Sequence, residues 1–259
     1  MVFIVWSMYQ YIVEKSDKRM AYLLDLLVRE GEDARAGGAV LAESATDKIP
    51  VFCCSPARKF KTKELAALPH RSVLACGRLN FEQIMLLTEH KVRHLNLVHD
   101  DVFTVQNSLL TAEAALALII ANTDGSIFTD KYLIVGYGRL GRALARIFHQ
   151  LGMDFAVATM GATERACAKY FTQKTYTADL PLGYYGAIIN TVPAQILSAE
   201  SFLEVPAETL YLELASTPGT PQNAAEILPF KILNAPSLPG KYCPKQAAEI
   251  LKNALMRQL

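Results

Sequence analysis

The segment Lys131–Leu144, KYLIVGYGRLGRAL, decides the fold. Tyr132 to Val135 is a short apolar run of the kind that forms a buried strand, and Gly136, Gly138 and Gly141 follow in GxGxxG spacing. A helix is expected from there to Leu151, with Gly152 as its stop and Leu140, Leu144, Ile147, Phe148 and Leu151 on its inner face. Gly136 permits the tight turn, Gly138 lets the backbone approach a pyrophosphate, and Gly141 lets helix and strand pack closely. The N–H groups of the first turn, around Arg139 and Leu140, are then aimed at the anion. Spacing alone also fits a glycine-rich turn without a ligand. The strand before it and a second strand over Phe155–Thr159 favour a dinucleotide site.

Cofactor choice turns on the end of that second strand. An NAD site ordinarily places Asp or Glu there to accept from the ribose hydroxyls, whereas this chain has Ala158, Thr159, Met160 and Gly161, with Arg165 beyond. With no carboxylate to repel a 2′-phosphate, NADP(H) is favoured over NAD(H). Thr159 and Met160 are then cofactor contacts, and Arg165 is either the charge partner or a helix-surface arginine. Strands over Ala187–Thr191 and Leu210–Leu214 bring Thr191, Val192 and Pro193, and Ala215 and Ser216, toward the nicotinamide half. A last strand, Phe230–Leu233, leads into the stiff loop Ala235–Pro244, APSLPGKYCP, whose only charge is Lys241. A final helix over Lys245–Gln258 is expected to pack back across the domain junction.

Upstream, strand and helix patterns alternate: a strand at Tyr9–Val13, a helix at Lys18–Arg29, strands at Val51–Cys54 and Ser72–Cys76, a helix at Phe81–Thr88 and a strand at Arg93–Leu97. Between Glu30 and Lys48 at most a short strand near Ala39–Leu41 is legible. The helix Ser108–Asn122 is apolar on nearly every side, as a connector between domains would be. Asn107, Ser108, Thr111 and Glu113 stand near its start, either as caps or presented to a cleft. The expected fold class is therefore α/β, with two parallel-sheet domains, the C-terminal one a Rossmann dinucleotide-binding domain. The expected segments are a small domain over 1–107, a linking helix over 108–123, the Rossmann domain over 124–240, and a closing loop and helix over 241–259.

Composition narrows the function classes. The 259 residues are 51% hydrophobic, enough for two cores, and 26 basic against 25 acidic residues leave a net charge of +1. Nothing here points to nucleic acid or a membrane surface. The densest basic cluster, Arg58, Lys59, Lys61 and Lys63, reads as a solvated face. The apolar start MVFIVWSM lacks the features of a signal peptide, and charge follows it too soon for a membrane span. The five cysteines suit reduced thiols in the cytoplasm, and no zinc set completes the pair Cys53–Cys54, so no metal is expected.

Three stretches together resemble one family, the A subunit of dipicolinate synthase. Asn107, Ser108, Thr111 and Glu113 are similar to its NSxxTxEG, VGYGRLGRALA to its GxGRxGxxxA, and the tail NTVPAQIL, LELASTPGT and APSLPGKYCPKQAAEIL to its closing motifs. Before Asp100 the likeness is thin and includes DKR at Asp17–Arg19 beside the family's DAR. The resemblance implies oxidation of a dihydrodipicolinate-type intermediate to dipicolinate during sporulation, with NADP as hydride acceptor and, for a partner, a flavoprotein-like B subunit. A small dicarboxylate needs cations and donors. The candidates are Lys241, with Pro239 and Gly240 beside it, Arg78, Asn107, Ser108 and Thr111; Glu113 is the candidate proton acceptor, with His99 behind it. Lys245 is either a first-turn helix residue or a carboxylate contact.

The departures from the family pattern lie on the substrate side: Ser237 for Gly, Tyr242 and Cys243 for small residues, Gln246 for Thr, Ala114 for Gly, and Lys15–Ser16 for paired glycines. Two alternatives therefore stay open, a dehydrogenase of another small acid and an NADP(H)-sensing partner protein without chemistry. A D-2-hydroxyacid dehydrogenase fits poorly, because the only histidine after His99 is His149, on the far side of the glycine-motif helix. A homo-oligomer is compatible with the sequence.

Overall fold

The computed structural model describes residues 8–38, 47–177, 183–194, 205–220 and 228–259. The chain divides into two compact units, one of Met1–Asn107 with Pro239–Leu259, the other of Ser108–Leu238.

The first unit is built on strands β1 (Tyr9–Val13), β2 (Ala34–Ala36), β3 (Ile49–Cys53), β4 (Val73–Cys76) and β5 (Arg93–Asn96), all parallel in the order β2-β1-β3-β4-β5. Helices α1 (Lys18–Arg29), α2 (Thr62–Ala66) and α3 (Phe81–Glu89) connect them. Asp17 starts α1 by accepting from Met20 N (2.9 Å), and Met20, Leu23 and Leu27 recur at helical spacing to bury its inner face. Asn80 and Gln83 close α3 reciprocally, at 2.8 and 3.1 Å. Ile12, Phe52 and Leu74 pack with Leu65 and Leu87 on one side of the sheet, and Tyr11, Val13, Val51 and Val73 are buried on the other. The final helix, α8 (Pro244–Gln258), packs on α1. Arg257 holds it to Asp100 at 2.9 Å, and that contact keeps the Asp100 carboxyl below the usual carboxylate range.

The second unit carries β6 (Lys131–Val135), β7 (Asp154–Ala158), β8 (Thr175–Tyr176), β9 (Ala187–Asn190), β10 (Leu210–Glu213) and β11 (Lys231–Asn234), parallel in the order β11-β10-β9-β6-β7-β8. Counted from β6 this is 3-2-1-4-5-6 read in reverse, the doubly wound dinucleotide order, with its reversal between β6 and β9. Side chains alternate as the pleat requires. Tyr132, Ile134, Phe155, Val157 and Ile189 share one core with Leu144 and Phe148 of α5 (Arg139–Leu151); Leu133, Val135, Ala156 and Ile188 share the other with Tyr211 and Phe230. Helix α4 (Asp101–Asn122) is long and apolar enough to cross a membrane by length and composition. Its Ala112, Ala115 and Ile119 instead join the first of these cores. Helix α6 (Ala162–Ala168) follows β7.

Several expectations are corrected. The connecting helix begins at Asp101 rather than Ser108, capped by Asp100, which accepts from Phe103 N at 2.8 Å. Asn107, Ser108 and Thr111 are thus interior helix residues, not first-turn caps. The strand expected near Ala39–Leu41 lies outside the described residues, and β2 forms earlier. The loop Ala235–Pro244 contains a short helix, α7 (Leu238–Tyr242). The basic cluster is not all solvated, because Arg58 pairs with Glu14 and with Glu64 (3.0 Å) and stacks 4.7 Å from the Phe60 ring centre.

Candidate functional site

The glycine turn has the geometry its spacing requires. Gly136 adopts φ +96°, and a Cβ there would lie 2.5 Å from Thr191 Oγ1 and 2.7 Å from Val192 Cγ2. A Cβ on Gly141 would stand 2.1 Å from the Gly136 carbonyl oxygen, so only glycine lets α5 start this close to β6. Gly138, at the N-cap of α5, supplies no side-chain cap, and the space where its Cβ would be is open for 4 Å. Gly138 and Arg139 are exposed and Leu140 is half-buried. An uncapped thirteen-residue helix with an open approach fits a pyrophosphate.

At the end of β7, Arg165 Nη1 donates to the carbonyls of Thr159 (2.9 Å) and Met160 (2.7 Å), fixing a cation beside the strand end. Arg165 and Lys169 line a cavity of about 430 Å³ with Thr175, Tyr176 and Thr177. Met160 is exposed. One further group here is invisible in the sequence. The Glu164 carboxylate folds over Gly161, 1.8 Å from where a Cβ would sit, so the strand end does have an acid beside it.

Thr191 is tied to the glycine turn, its N and Oγ1 both donating to Val135 O at 2.9 and 2.8 Å. Behind it lies a buried pair that sequence reasoning missed. Asn190 is fully buried, and its Nδ2 donates to Glu213 Oε1 (2.9 Å) and Oε2 (3.1 Å). Glu213, 3% exposed, also accepts from the main-chain N of Ala215 (3.0 Å) and Gly219 (2.8 Å). Val192 and Ala215 are half-buried, and Pro193 and Ser216 are exposed.

In the first unit, the sheet order reverses between β1 and β3, and the residues beyond these strand ends form a charged cluster. Arg19, 4% exposed, donates from Nη2 to Ser55 Oγ (2.7 Å) and Asp17 Oδ2 (3.1 Å), while its buried Nε finds no partner among the described residues. Gly240 lies against this cluster, with its Cβ direction 3.4 Å from Asp17 Oδ2 and 3.7 Å from Arg19 Cζ. Pro239 is buried and Lys241 exposed. Arg19 was missed as a candidate because a helix arginine ordinarily faces solvent. The available signal was a cation next to Met20 and four residues before Leu23 on the apolar face.

Other candidates are dispersed. Arg78 is exposed beyond β4, and His99 is exposed in a short 3-10 turn. Ser108 is buried, while Asn107 and Thr111 are half-buried. Glu113 is exposed about 160° round the helix from Thr111 at 3.6 residues per turn, so α4 does not present it with that set. His94, not His99, is the placed histidine, with Nε2 3.0 Å from Gly77 O and 3.4 Å from Cys76 Sγ. Burial holds its pKa below the ordinary value, against the opposing Gly77 contact. Burial pushes the Cys53 and Cys76 thiols up to about 12, so neither is a nucleophile near neutrality.

The same arrangement of sheets recurs in solved proteins. The A subunit of dipicolinate synthase from Bacillus halodurans superposes with a TM-score of 0.81 at 22% identity, covering 97% of this chain and 98% of that one. The corresponding chain of the Bacillus subtilis dipicolinate synthase gives 0.76 at 24% identity, over 96% and 94%. No protein-family model matches the sequence. In sequence, 208 residues are 31% identical to the A subunit of dipicolinate synthase from Bacillus subtilis (strain 168), covering 77% of this chain and 68% of the relative. With that identity over most of both chains, and the glycine turn in place, this chain belongs to the family of dipicolinate synthase A subunits.

Proposed function

We propose that this chain is the dinucleotide-dependent oxidoreductase component of a dipicolinate synthase, converting a dihydrodipicolinate-type ring to the aromatic dicarboxylate. The observation that carries this reading is the uncapped α5 start behind Gly138, in a member of this family. NADP, when bound, supplies the hydride acceptor. Gly136, Gly138 and Gly141 shape the pyrophosphate cradle, and Thr159 and Arg165 receive the 2′-phosphate. NAD is a second reading, favoured by Glu164 beside Gly161.

On the substrate side, Arg19, its Nη2 held by Ser55 and Asp17, supplies positive charge and its remaining N–H groups for one carboxylate, and Lys241 a mobile cation for the other. Aromatisation drives the step, so the protein's work is orientation and removal of one proton. Glu113 is assigned no step, since its face of α4 is turned from Thr111. The family membership supports a flavoprotein-like B subunit in the role of partner, and the five free thiols support a cytoplasmic setting.

Calorimetric titration of dipicolinate into the NADPH-saturated chain tests the substrate half. Binding that weakens about tenfold or more in Lys241→Ala supports it. No dipicolinate binding, with the cofactor bound, contradicts it.

A further inference from the structure

We propose that Glu213 is a positioning residue for the nicotinamide end of the dinucleotide site, acting through Asn190 on the loops that follow β9 and β10. The inference rests on the dinucleotide reading above. Glu213 and Asn190 are register partners at the carboxyl ends of neighbouring strands, and Asn190 also faces Val135 of β6, the residue before the glycine turn. By the two-fold logic of the doubly wound sheet, the β6-β7-β8 half takes the adenosine end, leaving the β9-β10-β11 half for the nicotinamide end.

A carboxylate this deeply buried is stabilised only by full hydrogen bonding. Here Asn190 Nδ2, at the end of β9, and the main-chain N–H groups of Ala215 and Gly219, in the loop after β10, supply it. The Asn190 amide has one consistent orientation. Its Nδ2 also donates to Val192 O (3.1 Å), and its Oδ1 accepts from Val192 N (3.0 Å). A continuous path thus runs from Val135 through Thr191, Asn190 and Glu213 to Gly219. Gly219 is part of the fit, since a Cβ there would lie 2.5 Å from Asn190 Nδ2. Both Glu213 oxygens are taken by protein donors, so its effect passes through Thr191–Pro193 and Ala215–Ser216.

Glu213→Gln keeps the shape but turns an amide N–H₂ toward donors that need an acceptor. The test compares NADPH and NADH with the matching fragments that lack nicotinamide, 2′-phospho-ADP-ribose and ADP-ribose, by calorimetry. The expected result is a loss of about tenfold or more in affinity for the preferred whole dinucleotide, with its fragment changed less than about twofold. Gly219→Ala, which presses on the same amide without removing the charge, is expected to give the same split if Glu213→Gln fails to fold. Equal weakening of dinucleotide and fragment, or no weakening of either, overturns the proposal. Failure of the unsubstituted chain to bind any dinucleotide overturns the cofactor reading itself, and is seen before any variant is made.

Discussion

Arg19 Nη2 lies 2.7 Å from Ser55 Oγ, joining the first turn of α1 to the end of β3 across the point where the first sheet reverses its order. A buried guanidinium so held is oriented in advance for a carboxylate, and its cost of burial is offset by Asp17. Arg19→Lys keeps the charge and loses the rigid guanidinium that Ser55 and Asp17 hold in place. Its dipicolinate affinity is expected to fall about tenfold or more with dinucleotide affinity unchanged, as read by calorimetry on the two ligands. Unchanged dipicolinate affinity would remove Arg19 from the substrate site.

Gly138 and Gly141 separate binding from folding. Gly138→Ala meets open space, so its thermal stability should stay near that of the unsubstituted chain while dinucleotide binding is lost. Gly141→Ala drives a Cβ against the Gly136 carbonyl and is expected to cost about 1–3 kcal/mol of stability as well. Thermal melts with and without cofactor compare them. Identical behaviour of the two variants would contradict the distinct tasks assigned to these glycines.

The proposed 2′-phosphate site sets Arg165 against Glu164. Arg165→Ala is expected to lower the NADP-to-NAD affinity ratio, and Glu164→Gln to raise it, each by about 5- to 50-fold, measured by competition titration. An unaltered ratio in both variants would place the 2′ recognition elsewhere.

His94 gives the first unit a pH dependence. Its folded pKa is depressed by burial, so on acidification the unfolded chain takes up the proton first. This contribution is complete above the ordinary value of 6.5 and is lost as pH falls through the folded value. Denaturant unfolding at several pH values should show stability falling on the acid side of neutrality, with a shallower fall in His94→Asn. The same slope in both proteins would assign the effect to other groups.

Ser237 adopts φ +58°, in the left-handed region, at the position where the family's pattern has glycine. Ser237→Gly is expected to stabilise the chain by up to about 1 kcal/mol, seen as a rise in melting temperature. A lower melting temperature would mean that the serine side chain compensates for its backbone.

The glycine turn and strands such as β4 and β6 were legible because they rest on local chemistry, a short apolar run closed by glycine. The short edge strands β2 and β8 were not, since neither carries a buried apolar row. Asp100 was passed over as a cap because polar residues continue through Thr104 and Gln106, and α7 was hidden by Pro239 within it and by Pro236 and Pro244 on either side. The larger misses were charged residues made meaningful by tertiary burial. Arg19 and Glu213 look like surface residues until the sheet ends close around them, and Glu164 comes beside Gly161 only once α6 has turned. The face on which Glu113 falls was legible already, since the expected helix Ser108–Asn122 holds Thr111 and Glu113 two residues apart and so on opposite sides.

The most direct measurement is the steady-state reduction of NADP by a dihydrodipicolinate-type substrate, followed by the near-ultraviolet absorbance of the reduced cofactor, with this chain alone and with the proposed B-subunit partner. The expected result is a rate well above the uncatalysed oxidation, lost in Gly138→Ala and restored by no amount of that partner. A rate no greater than the uncatalysed reaction, with and without the partner, would contradict the assignment of this chain as the oxidoreductase.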